Sequence, residues 1–131
     1  MKLAKLKTRS QWLSEAQAVF NKFIRLRDAQ KNCISCGGKL GEKYDAGHYK
    51  SRGAHPELRF EELNTHAQCV RCNQYLSGNL INYRKGLLIR IGEKKLAWLE
   101  GNHEPLKMTV EEIQEFIKVY RQRCKELQSV L

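Results

Sequence analysis

Apolar side chains recur at helical spacing over two long stretches, one at each end of the chain. Near the N-terminus Trp12, Ala16, Val19, Phe23 and Leu26 return every three or four residues, with Leu13, Phe20 and Ile24 beside them. Such a stripe is wide enough to lie on a core. It predicts a helix over residues 8–30, capped by Thr8 or Ser10. At the other end Val110, Ile113, Ile117, Tyr120, Cys124, Leu127 and Leu131 alternate at three and four, and Thr109 with Glu112 forms a capping-box pair. A last helix is therefore expected over 109–131. Its apolar seam is narrow, of the coiled-coil kind, and fits either packing on the first helix within one chain or pairing between two chains.

Between these helices the period changes. Residues 32–73 carry turn signals and short extended pieces around Tyr44–Tyr49 and Leu58–Phe60, which predict hairpin-like strands. Helical spacing returns from about Asn73 to Ile91 through Leu80, Tyr83 and Leu87, with a break or restart at Ser77-Gly78-Asn79 and an end at Gly92. A short helix over Lys94–Glu100 stops at Gly101-Asn102. The expected architecture is α+β and a single domain. It has a basic N-terminal helix (1–31), a small core (32–92) and C-terminal helices (93–131).

Charge narrows the partners. Lys and Arg number 24 against 14 Asp and Glu, a formal net charge of +10. That balance favours a polyanion, with nucleic acid first and an anionic membrane surface second. Residues 1–31 hold eight basic against two acidic side chains. The polar face of the first helix is thus either a solvated face or a phosphate-contacting one. No run approaches the ~20 apolar residues of a membrane span. Met1 to Lys7 leads into no signal-peptide core. The chain is expected to be soluble and cytoplasmic, with neither a membrane nor a small molecule as its partner.

The cysteines add chemistry. Cys33/Cys36 and Cys69/Cys72 are two C-x-x-C pairs, while Cys124 stands alone in the last helix as a small buried apolar side chain. An odd count without an export signal speaks against a disulfide scaffold. Two matched pairs suit tetrahedral Zn2+, each pair clamping one edge of the tetrahedron. Gly37-Gly38 allow the tight turn after the first pair. Four thiolates leave no open position for water, so this zinc is expected to be structural, one per chain.

Tyr44-Asp45-Ala46-Gly47-His48-Tyr49 lies between the pairs, and Asn64-Thr65-His66-Ala67-Gln68 leads into the second, which Asn73 follows directly. Here the chain resembles the HNH (ββα-metal) endonucleases, in an HNN form. In that superfamily a strand carries a histidine, matched by His48. A loop carries an asparagine, matched by Asn64, and a helix after the second cysteine pair carries a metal ligand, matched by Asn73. The resemblance is closer still to the lambdoid-phage NinG, or Rap, recombination family. It runs through Cys33-Ile34-Ser35-Cys36-Gly37, Leu58-Arg59-Phe60, Ser77-Gly78-Asn79, Tyr83-Arg84 and Arg90-Ile91-Gly92. It implies a zinc-stapled ββα core and an endonuclease acting on branched DNA such as Holliday junctions and D-loops, in the cytosol of a phage's bacterial host. Family members can carry a further basic, cysteine-containing N-terminal segment, expected to lie ahead of this chain's first residue.

The chemistry also stands without the family. Phosphodiester hydrolysis needs a nucleophilic water, a clamp on the phosphate and charge neutralisation at the leaving oxygen. A histidine with an ordinary pKa near ~6.5 accepts a proton from water at neutral pH. Oxygen ligands from Asp and Asn suit one Mg2+ or Mn2+. On this reading His48 is the general base, the alternative being a satisfied structural histidine. Asn64 orients His48 or holds the loop behind it, and Asn73 and Asp45 are the metal ligands. The resemblance departs at Gly47, where HNH sequences place the acid. In a regular strand Asp45 and His48 face opposite sides, so a bulge or kink at Gly47 is expected to unite them. His66 is a second possible ligand, ranked below Asp45. Arg52 and Arg59, with Lys50 and Arg71, are the candidate phosphate contacts. His55 and His103 have no partner pattern and are expected at the surface. A homodimer, through the last-helix seam or the Trp12–Leu26 face, would supply two sites for two nicks. Two other classes compete: a zinc module that only binds DNA, and a protein-interaction domain built on the C-terminal seam. His48, Asn64 and Asn73 favour the nuclease over the first, and the charge of +10 over the second.

Overall fold

Helix α1 (Arg9–Arg27) opens with a reciprocal cap. The Thr8 hydroxyl accepts from the Gln11 N–H, and the Gln11 side chain accepts from the Thr8 N–H. The computed structural model describes residues 6–131. Lys2 and Lys5, counted in the basic stretch, and most of the 1–7 lead-in lie outside the described residues. Helix α3 (Val110–Gln128) repeats the capping device with Thr109 and Glu112. The two helices bury their stripes on each other. Phe20, Phe23 and Ile24 meet Tyr120 and Cys124, while Ala16 meets Ile113 and Ile117. Each large side chain fully buried in this way contributes about 1.5–3 kcal/mol. Much of both faces expected as dimer interfaces thus packs inside one chain, while Leu131 at the end of the seam stays exposed. Cys124 is buried as expected.

The sheet has two antiparallel strands, β1 (Tyr44–His48) and β2 (Thr65–Cys69). β1 falls where expected, but its partner is not Leu58–Phe60. Pro56 cannot donate to a ladder and starts a 3-10 turn over Pro56–Leu58 instead. Leu58 then packs under α2 (Leu80–Glu100), and Phe60 packs between α1 and α3. The Thr65–Cys69 strand shows no alternation because both of its faces are covered, and four of its five residues are buried. α1 and α3 cover the side reached by Ala46, and α2 covers the side reached by Tyr83, whose hydroxyl donates to the Gly47 carbonyl at 2.6 Å. No regular helix starts at Asn73. A single π turn (Arg71–Tyr75) leads to three left-handed residues, Ser77, Gly78 and Asn79, before α2 begins. α2 bends at Gly92 (φ 85°), where the sequence predicts one helix to end and a short one to follow.

A buried carboxylate ties α1 to the sheet. Asp28 is fully buried and accepts from the Ala67 N–H at 2.9 Å and from Arg27 Nε at 2.8 Å. Arg27 also donates to the Thr65 carbonyl at 2.8 Å. Burial alone would raise the Asp28 pKa, but these donors outweigh it and hold it below the ordinary carboxylate value.

Cys33, Cys36, Cys69 and Cys72 place their sulfurs within 4.8 Å of one another, close enough to hold a metal ion such as zinc. The Cys69 N–H points at the Cys33 sulfur at 3.3 Å and the Gly38 N–H at the Cys36 sulfur at 3.4 Å. Burial opposes ionisation of Cys33, yet the backbone N–H groups around it bring its pKa down to about 7. Its neighbours Cys36 and Cys69 are pushed up, by burial and by the Cys33 thiolate, so a bound cation is what would hold all four sulfurs ionised together.

Purified protein should contain about one zinc per chain by elemental analysis. Cys69→Ser should lose it together with the cooperative unfolding transition. Zinc near zero with unchanged melting would remove the staple. A second expectation concerns acid. His66 is buried, and burial first, then the charge of Arg27, pushes its pKa down to about 3. Because the folded state resists the proton that the unfolded chain takes up near pH ~6.5, stability is full above that pH and is lost as pH falls toward 3. The loss at pH ~4.5 is about 2–3 kcal/mol from this group. Urea unfolding against pH should show this slope, and His66→Leu should flatten it.

Candidate active site

His48 closes β1 and faces α1 across an open cleft of about 620 Å³. Its Nε2 lies 2.9 Å from the carbonyl oxygen of Arg59. A carbonyl only accepts, so this contact is a hydrogen bond when Nε2 carries the proton, and Nδ1 is then the basic nitrogen. Gln17, buried on α1, holds the same carbonyl from its Nε2 at 3.2 Å and accepts from Arg59 Nε at 2.9 Å. The 3.5 Å approach of Gln17 Nε2 to His48 Nε2 is therefore two donors sharing one acceptor. Burial lowers the His48 pKa, two backbone carbonyls work against that, and the charges of Arg52 and Arg59 lower it further. The net shift is downward, so the imidazole is neutral at neutral pH.

Asn73, Lys50 and Arg52 line the same cleft, and no acidic residue does among the described residues. Asp45 joins from the other side of the strand. The β1–β2 register runs unbroken from Tyr44↔Cys69 to His48↔Thr65, so there is no bulge at Gly47 and Asp45 is not turned toward His48. The glycine serves another purpose: a Cβ there would collide with the Gln68 side chain, which crosses it to donate to the Gly78 carbonyl in the cleft wall. Asp45 Oδ2 accepts from Asn73 Nδ2 and from Gln74 Nε2, both at 2.9 Å. An ionised carboxylate accepts only, so Asn73 turns its NH2 to Asp45 and keeps Oδ1 free. Asn73 Oδ1 is thus the oxygen in the cleft suited to a hard divalent cation, with the Asp45 charge one residue behind it.

Asn64 is fully buried and pins the loop after β1. Its side chain accepts from the Lys50 N–H at 2.8 Å and donates to the Lys50 carbonyl at 3.0 Å and the Leu58 carbonyl at 3.2 Å. Of its two expected roles the geometry gives loop support. His66 does not reach the cleft; it lies buried with its ring 6.3 Å from that of Tyr83. The Arg59 side chain is engaged with Gln17 and lies over Phe60, and Arg71 is exposed at the start of the π turn without lining the cleft. His55 is half-buried and paired with Glu57, and His103 packs on Trp98, so neither stands free at the surface. Gln17 escapes a reading of the sequence by type alone. Its signal is position: a polar residue between Ala16 and Phe20 inside the apolar stripe.

A family model described as Bacteriophage Lambda NinG protein matches residues 1–129. Protein ninG of Escherichia phage 933W is 48% identical over 124 residues, 95% of this chain and 62% of that protein. For protein ninG of Escherichia phage lambda the identity is 47% over 124 residues, 95% of this chain and 61% of the relative. For that of Salmonella phage P22 it is 46% over 122 residues, 93% and 60%. The chain thus spans about three fifths of the length of the curated relatives it matches. No solved structure matches it. Nearly the whole of this chain, cysteine tetrad and cleft included, falls within those matches, and it belongs to the bacteriophage lambda NinG protein family.

Proposed function

We propose that the chain is a metal-dependent endonuclease of the HNH kind that hydrolyses phosphodiester bonds in branched DNA in the cytoplasm of a phage's host. The observation that carries this reading is the place of His48: its ring lines a basic cleft with Nε2 2.9 Å from the Arg59 carbonyl, and with the proton on that nitrogen Nδ1 is the one to take a proton. Lys50 and Arg52 would hold the backbone phosphates of the strand, and His48 Nδ1 would accept a proton from the water that attacks phosphorus. Attack forms the new P–O bond as the bond to the leaving sugar oxygen breaks. Asn73 Oδ1, backed by Asp45, is where Mg2+ or Mn2+ would be held; such an ion supplies charge neutralisation at the phosphate and the leaving oxygen. The cysteine tetrad offers no open position and would serve the fold. A module that only binds DNA would use the same charge and tetrad. It has no need of a half-buried, neutral histidine whose Nε2 lies on the Arg59 carbonyl that Gln17 also holds.

Nicking of a four-way junction with and without added Mg2+ tests the reading directly. His48→Ala should lower the rate by about 10²–10⁴-fold with junction affinity nearly intact, since affinity is spread over many phosphate contacts. Equal loss of binding, cleavage and melting temperature would make His48 structural. Asn73→Ala should need more Mg2+ or Mn2+ for the same rate.

The acid limb of the profile of kcat/KM against pH should lie below the ordinary histidine value, because the pKa of His48 is depressed in the free protein. Rate should fall as pH drops through that limb and stay level above it. Gln17→Leu frees the Arg59 carbonyl and loosens the ring. It should lower kcat and move the limb while KM for DNA changes little. A Gln17 variant that alters melting but neither kcat nor the limb would reduce this residue to packing.

A further inference from the structure

The segment from Asn73 to Ile81 forms one wall of the cleft and turns its apolar side chains outward. Tyr75 is 78% exposed, Leu76 45%, Leu80 47% and Ile81 78%. Leu80, whose helical spacing places it with the buried Tyr83 and Leu87, instead lines the cleft. Scattered exposed apolar residues are ordinary, but four within seven positions, Leu80 lining the basic cleft and the other three within two positions of its wall residues, make a crest. The crest is also rigidly mounted. Ser77 (φ 49°), Gly78 (φ 90°) and Asn79 (φ 43°) are all left-handed, a costly arrangement that needs outside support. That support comes from Gln68 and Ser35 on the Gly78 carbonyl, from the Gly78 N–H on the Cys72 carbonyl, and from Asn79 Nδ2 on the Cys72 sulfur at 3.4 Å.

We propose that this crest is a base-stacking platform: Tyr75 takes the face of an unstacked nucleobase next to the strand whose phosphate occupies the cleft, with Leu76, Leu80 and Ile81 as the apolar wedge beside it. The inference rests on the nuclease reading for what the cleft holds. The surroundings select the occupant. Lys50 and Arg52 on the cleft and a net charge of +10 attract a polyanion and disfavour a second copy of the same basic chain. Among polyanions, nucleic acid also carries flat apolar faces that bury an aromatic ring and aliphatic wedges once a step is unstacked. The rigid mount means that little freedom is lost when a base docks.

The test needs no cleavage. A gapped duplex with 2-aminopurine as its unpaired base is titrated with the full chain in the absence of added Mg2+ or Mn2+, beside a fully paired duplex of the same length. Wild type should change the 2-aminopurine emission on binding. Tyr75→Ser should abolish most of that change and weaken gapped-DNA affinity about ten-fold, leaving paired-duplex affinity and melting temperature unaltered. Tyr75→Trp should restore both. An emission change that survives Tyr75→Ser, or an equal loss on both DNAs, overturns the platform. So does a wild-type dimer in light scattering that Tyr75→Ser dissolves, since the crest then belongs to a second copy. A chain that never cuts can still pass this test, and one that cuts can fail it, so the two readings fail separately.

Discussion

The approach of four cysteine sulfurs to within 4.8 Å of one another is the constraint on which the rest of the molecule depends. Two strands of five residues do not hold themselves together in water. Here Cys69 ends β2, the Cys33 sulfur accepts from the Cys69 N–H, and the Ile34 N–H bonds to the Ala67 carbonyl, so the first knuckle also edges β2. Cys72 lies in the π turn that carries Asn73, and its sulfur and carbonyl anchor the Gly78-Asn79 bend. A metal ion joining the two pairs closes a 32-residue loop, which contains β1 and His48. The far end of the sheet is held differently, by Asp28 and Arg27 on Ala67 and Thr65. His48 and Asn73, which line one cleft, lie on the segments that these two fixings join.

Gly47 shows how one small residue serves that arrangement. A side chain there would displace Gln68, which reaches across to hold the Gly78 carbonyl. The Asp-Ala-Gly-His run thus splits its tasks between the two faces of the strand. His48 turns to α1 and Arg59, while Asp45 turns to the π turn and fixes the Asn73 amide. A continuous register permits this and a bulge would forbid it, because a bulge would turn Asp45 away from Asn73 and Gln74.

What the sequence makes legible follows from how local the cause is. The α1 and α3 boundaries rest on caps within four residues, and the tetrad rests on two short spacings, so both can be read from the chain alone. β2 cannot, because its residues are buried on both faces by elements far away in sequence and carry no period of their own. The use of α3 as internal packing was open for the same reason: a seam of Ile113, Ile117 and Tyr120 has identical spacing whether its partner is α1 or another chain. His48, Asn64 and Asn73 are recognisable by type and spacing, but their partners are not. The Arg59 carbonyl that sets the His48 tautomer is backbone and leaves no trace in residue identity, and Gln17 is marked only by sitting where an apolar residue belongs.

A histidine placed beside Arg52 and Arg59 raises a question of timing. Burial and the two guanidinium groups depress the His48 pKa, so the free protein keeps the ring neutral at the cost of basicity. In the proposed hydrolysis a phosphate entering the cleft brings negative charge beside the same ring and offsets those cations. The offset raises the proton affinity of Nδ1 only when substrate is bound, which is when a stronger base is useful. The Arg59 carbonyl, held by Gln17, acts in the same direction, since a fixed acceptor on Nε2–H stabilises the imidazolium as it forms. The basic cleft would then both gather the strand and delay protonation of its base until the strand arrives.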